Sequence, residues 1–79
     1  MKLQDKVVLN IIKYMDSLDI EIVSNNKIKT YSNYLSKITD ISEKRLNNIL
    51  DINKKRIVRL NEVEQICYSL NIDMYKIFK

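Results

Sequence analysis

Among 79 residues there is not one glycine and not one proline. Sandwiches and barrels reverse direction every 8–12 residues or so, and those two residues supply most of the turn geometry. Their absence points to helices joined by short polar loops, an all-α chain. The length allows one hydrophobic core and therefore one domain, 1–79. An apolar share of 46% against 30% charged fits an ordinary globular protein rather than a disordered one.

Several functions become improbable on residue types alone. There is no histidine, so the usual acid–base group at neutral pH and the commonest metal ligand are both missing. The single Cys67 can form neither an internal disulfide nor a zinc site, which suits a reducing cytoplasm. Cys67 falls on an apolar stripe, and Glu62 and Glu64 read as an exposed helix face. No catalytic residue, cofactor or metal is therefore expected. The apolar run "VVLNII" stops well short of the roughly 18 residues a membrane span needs, and no signal-peptide pattern opens the chain. A cytoplasmic protein with no membrane partner is the expectation.

Apolar residues recur at spacings of three and four in several segments, the signature of amphipathic helices. Leu3, Val7, Ile11, Tyr14, Met15 and Leu18 mark a first helix over 3–18. Tyr31, Tyr34, Leu35 and Ile38 mark a second over 31–38, with Thr30 or Ser32 as its cap. Leu46, Ile49 and Leu50 mark a third over 43–51, capped by Ser42. Leu60, Val63, Ile66, Cys67 and Leu70 mark a fourth over about 58–70, and "MYKIF" after Asp73 a closing turn. Residues 19–30 are ambiguous: Ile20 and Ile22 alternate with acids and "NN" suits a tight turn, so a short β-hairpin and a plain loop both fit. The reading is a bundle of about five helices, with that hairpin optional. Tyr31, Tyr34 and Tyr75 read as packing residues.

Two short helices joined through "ITDIS" make a helix-turn-helix, whose second member can enter the DNA major groove. With Leu46, Ile49 and Leu50 inward, Glu43, Lys44, Asn47, Asn48 and Asp51 face out. Asparagine pairs bidentately with an adenine edge, and lysine suits guanine acceptors. A solvated bundle helix favours the same residues, so spacing alone leaves both readings open. Charge adds a second signal. From Ser42 to Arg59 stand Lys44, Arg45, Lys54, Lys55, Arg56 and Arg59 against Glu43 and Asp51, while the rest of the chain is neutral on balance. The whole net charge of +4 thus sits in one segment, as an electrostatic footprint for a polyanion would.

From "YSNYLSKITDISEKRLNNIL" through "LNEVEQICYSLNIDMYKIF" the chain resembles the lambda-repressor-like helix-turn-helix family of Cro and xenobiotic-response-element regulators. Leu35, Ile41, Ser42 and Leu46 fit its Leu-Ala-x-x-x-Gly-(Val)-Ser-x-x-x-Ile pattern. Leu60, Val63, Ile66, Cys67, Leu70 and Ile72 fit the following helix, and Ile77 and Phe78 the closing one. The family's turn glycines fall on Asp40 and near Asn53, residue types that tolerate left-handed backbone. Its common glutamate at the end of the reading helix is Leu50 here. The resemblance implies that Ser32 and Ser42 donate to phosphate, that Glu43, Lys44 and Asn48 read bases with Asn47 beside them, and that Lys54, Lys55, Arg56 and Arg59 grip the backbone; Arg45 belongs to the same basic footprint. The function expected is a sequence-specific double-stranded DNA-binding regulator, a repressor or Cro-like protein of a phage or other mobile element. It would act as a homodimer paired through the last helix with Phe78, or through the first helix. The alternative is a protein-binding adaptor on the same scaffold, such as an anti-defence protein, an antitoxin or a co-regulator. An RNA binder would need an aromatic platform that the sequence does not offer.

Overall fold

The computed structural model describes residues 2–78 and contains five helices: α1 (Leu3–Asp16), α2 (Lys27–Ile38), α3 (Glu43–Leu50), α4 (Leu60–Leu70) and α5 (Met74–Ile77). Among the described residues there is no strand. In α1, Val7, Val8, Ile11, Ile12 and Met15 form one buried stripe, while Asp5 in the first turn and Lys13 in the last complement the helix dipole. The stripe packs on Leu35 of α2, Leu46, Ile49 and Leu50 of α3, Val63, Ile66, Cys67 and Leu70 of α4, and Ile77 of α5, giving a single core.

The optional hairpin is absent, and its residues show why. Asp19, Ser24 and Asn25 all take left-handed backbone angles, which bend the segment repeatedly instead of extending it. The hydrogen bonds stay local: the Val23 N–H donates to Thr30 Oγ1 (2.9 Å), and the Asn26 N–H to the Val23 carbonyl (3.1 Å). Of the alternating isoleucines only Ile20 packs on the core. Asn26 then caps α2 by accepting from the Lys29 N–H at 3.0 Å, so this helix begins four residues before the expected Tyr31. Thr30 and Ser32 are therefore interior helix residues and not caps.

The joint between α2 and α3 is closed without left-handed backbone; neither Asp40 nor Asn53 has a positive φ. Side chains hold the turn instead. Thr39 Oγ1 donates to the Leu35 carbonyl (2.7 Å) and accepts from the Ile41 N–H (3.2 Å). The Asp40 N–H donates to the Gln65 side chain, and Ser69 Oγ donates to the Ile38 carbonyl (2.8 Å), so α4 anchors the turn. Ile41 is buried beneath it, and Ser42 caps α3 as expected, accepting from the Arg45 N–H at 3.2 Å. Asn71 stops α4 in left-handed geometry, and Asp73 starts α5 by accepting from the Tyr75 N–H.

Three expectations about packing fail, the first at Leu3 and Leu18, which are exposed at the two ends of the first stripe, Leu18 beyond the end of α1 at Asp16. Tyr31 is buried and donates to Asp16 Oδ1 (2.6 Å), but Tyr34 and Tyr75 are exposed, Tyr75 almost fully. Leu60, read as core, lies on the surface as the first residue of α4, one turn before that helix meets the core at Val63.

Candidate nucleic-acid interface

The outer face of α3 is built by its inner one. With Leu46, Ile49 and Leu50 fully buried, Lys44 is exposed and Glu43, Asn47, Asn48 and Asp51 are half-exposed. No large apolar side chain stands among them. Across from this face lies the start of α2, and the two frame an open cleft of about 600 Å³ lined by Asn26, Ile28, Lys44, Asn47, Asn48 and Asp51, with Lys54 at its end. Asn48 Oδ1 accepts from Lys54 Nζ at 3.2 Å, which uses one of the two lone pairs on that oxygen.

Lys54 also lines a second, larger hollow of about 1290 Å³ whose cations are Lys2, Arg45, Lys54, Lys55, Arg56 and Arg59. The cleft and this basin thus adjoin at Lys54. The start of α1 and the 51–59 loop form the basin because Gln4 clamps the loop: its Nε2 donates to the Arg56 carbonyl (2.8 Å) and its Oε1 accepts from the Val58 N–H (3.1 Å).

The expected contacts separate into three groups. Ser42, Lys44, Asn47, Asn48, Lys54, Lys55 and Arg59 line the open surface around α3 and the loop, with Glu43 at the helix start. Ser42 uses only its oxygen as a cap acceptor, which leaves its hydroxyl hydrogen able to donate to an anion.

Arg45 and Arg56 belong to the second group, committed to internal partners. Arg45 Nε and Nη2 reach the two oxygens of Glu62 at 2.7 and 2.8 Å, and Nη2 also donates to the Ile57 carbonyl (2.6 Å). The hydrogen bonds from Arg45 hold the Glu62 carboxyl below its ordinary range against the opposing effect of burial, and the Arg45 guanidinium is pushed up in return. Glu62 also accepts from the Arg59 N–H (3.0 Å), giving α4 the start signal that Arg59 itself cannot supply. Glu62 is therefore not the free surface carboxylate its spacing suggested. The Arg56 side chain is only 6% exposed; it meets Asp5 Oδ1 at 2.5 Å and donates to the Ile49 carbonyl (2.8 Å) at the end of α3. This pair ties α1 to the end of α3.

Ser32 forms the third group alone. It is fully buried, its Oγ has no partner, and it cannot reach a phosphate. The error follows from the position of the helix start: with α2 beginning at Lys27, position 32 lies on the inward stripe between Ile28 and Leu35.

Asn26, Ile28 and Lys2 were missed. The first two follow from the same misplaced helix start, for which "NNK" as a cap sequence was the available signal. Lys2 joins the basin through the Gln4 clamp, which no local pattern announces.

Comparison with family models, curated proteins and solved structures found no match.

Among the described residues no group of three or more histidines, cysteines and acids could hold a metal ion. Burial pushes the Cys67 thiol up to about 11, so it stays protonated at neutral pH. No helix among the described residues is long and apolar enough to cross a membrane. What the surface offers chemically is hydrogen-bonding groups on a short exposed helix, beside a preformed basic hollow.

Proposed function

We propose that this chain is a sequence-specific double-stranded DNA-binding regulator of the repressor or Cro-like kind, cytoplasmic and working as a homodimer on a pseudo-palindromic site. The observation that carries the reading is that the α3 outer face and the basic basin adjoin at Lys54. A helix placed in the major groove needs phosphate contacts beside it to fix its register, and base-edge groups on the helix to read sequence. Asn47 and Asn48 suit adenine edges and Lys44 suits guanine, while Glu43 accepts from cytosine. Lys2, Lys54, Lys55 and Arg59 meet the flanking backbone, and Ser42 adds a hydroxyl at the start of α3. Two copies would address half-sites about 34 Å apart.

The deciding experiment is selection of bound duplexes from a random DNA pool, followed by titration of the selected site at several salt concentrations. If about five phosphates are neutralised, log K should fall against log salt with a slope near −4.5. Asn48→Ala should change the preferred base, costing about 1–3 kcal/mol at that position, whereas Lys54→Ala with Lys55→Ala should weaken all sequences alike. No enrichment from the pool, or a salt-independent affinity, refutes the proposal.

A second reading, a protein-binding adaptor on this scaffold, is favoured by one observation. Ile57 and Leu60 stand largely exposed beside the basin, where neither serves the core.

A further inference from the structure

A shallow apolar groove of about 180 Å³ opens between the start of α1, the start of α4 and the end of α5, lined by Leu3, Val7, Val58, Leu60, Val63 and Phe78. Leu3 is 60% exposed, Leu60 58% and Phe78 39%. Gln4 lines both this groove and the basic basin, so the two adjoin. Ile57, on the basin side, is 78% exposed although its backbone is firmly held. The Gln4 side chain bonds to the Arg56 carbonyl and the Val58 N–H on either side of it, and Arg45 Nη2 donates to its own carbonyl. An isoleucine fixed in solvent by three hydrogen bonds is preorganised for contact, which lowers the ordering cost of association. Apolar side chains clustered around a groove with polar groups at its edge are a composition that interaction sites share.

The charge around the patch selects the occupant. Both nearby carboxylates are committed internally, Asp5 to Arg56 and Glu62 to Arg45. Among the described residues Lys2, Lys55 and Arg59, which line the adjoining basin, form no ion pair, so the basin side of the groove is a positive, uncompensated rim. A second copy seated here would bring further uncompensated cations to the contact and no free carboxylate to offset them. DNA phosphates would match the rim but gain nothing from Leu3, Leu60 or Phe78. We infer that the groove and its basic rim bind an acidic amphipathic helix of a partner protein, its apolar side chains in the groove and its carboxylates on Lys2, Lys55 and Arg59. The concave shape suits inserted side chains better than a flat lipid surface does. This inference stands apart from the DNA reading, although a partner bound here covers Lys55 and Arg59 and so competes with duplex DNA.

The test uses the full chain and a fluorescein-labelled synthetic peptide of about 14 residues, with leucine at spacings of three and four and glutamate elsewhere. A control peptide has the same composition with the leucines dispersed. Anisotropy titration should show at least tenfold tighter binding of the patterned peptide. Ile57→Ser combined with Leu60→Ser should weaken it about tenfold, as loss of anchor residues does. The same double variant should leave duplex DNA affinity within about twofold, which separates this inference from the DNA proposal. Both side chains are exposed, and an unchanged far-ultraviolet circular dichroism spectrum confirms folding. Equal binding of the two peptides, or no effect of the double variant, overturns the inference. So does preferential binding to phosphatidylserine vesicles, or self-association in sedimentation that the variant abolishes.

Discussion

Replacing Arg56 with alanine separates two readings of the "KKR" tract sharply, since only one of them assigns this arginine to DNA. In the structure its guanidinium is almost wholly inside, paired with Asp5 and bonded to the carbonyl that ends α3. Removing it leaves the Asp5 carboxylate, only 18% exposed, and the Ile49 carbonyl without their main partner. Breaking a buried pair from one side costs about 3–5 kcal/mol. Asp5 keeps some water and the favourable end of the α1 dipole, which moves the expectation to the lower end, about 3 kcal/mol. In a domain of this size that is a large part of a total of about 5–15 kcal/mol, and it corresponds to a fall in Tm of roughly 12–24 °C. Urea unfolding followed by circular dichroism measures it as a lower midpoint at unchanged slope. Lys55→Ala, its neighbour, should stay within about 0.5 kcal/mol. Asp5→Asn with Arg56→Met should recover part of the loss, because neither group is then left uncompensated. A cost below about 1 kcal/mol for Arg56→Ala, with a DNA salt slope reduced by about one, would show that Arg56 is a phosphate contact and that the structural assignment is wrong.

Other expectations concern single groups. Glu62 titrates below its ordinary value when folded, so its contribution is complete above that value, near 4.5, and is lost as pH falls through the folded one. Glu62→Gln should therefore show a flatter loss of stability between about pH 5 and 3 than the wild type, read from urea midpoints at each pH. Ser32→Ala removes a buried hydroxyl that has no partner and places a better helix former there; it should be neutral or stabilise by about 1 kcal/mol and leave DNA affinity unchanged. A loss of DNA affinity in that variant would restore a phosphate role for the serine.

The helices were legible wherever apolar periodicity and a capping residue agreed, as at Ser42 with Leu46, Ile49 and Leu50. Where the start signal lay outside the periodic run, the reading slipped. With Asn26 as its cap, α2 begins four residues ahead of its aromatic stripe, and that single displacement moved Ser32 from the supposed surface to the core. The alternation around Ile20 and Ile22 suggested strand, yet two adjacent polar residues with positive φ consume the segment in bends. The composition of the candidate site was readable, because lysine, arginine and asparagine cluster in sequence. Which cations face outward was not. Arg45 and Arg56 resemble Lys54 and Lys55 in a sequence; only the positions of Glu62 and Asp5, brought in from other helices, divide structural from available charge.

The Gln4 clamp has a bearing on how the chain acquires its binding surface during folding. Its two hydrogen bonds and the neighbouring Arg56–Asp5 pair each join residues more than 50 positions apart. Contacts between α2 and α3, by contrast, close over a few residues and carry little loop-closure entropy. The basin therefore depends on long-range closure of the chain, and the α2–α3 pair does not. The clustered positive charge of Lys2, Lys54, Lys55 and Arg59 is thus assembled only once the first and last thirds of the chain have met.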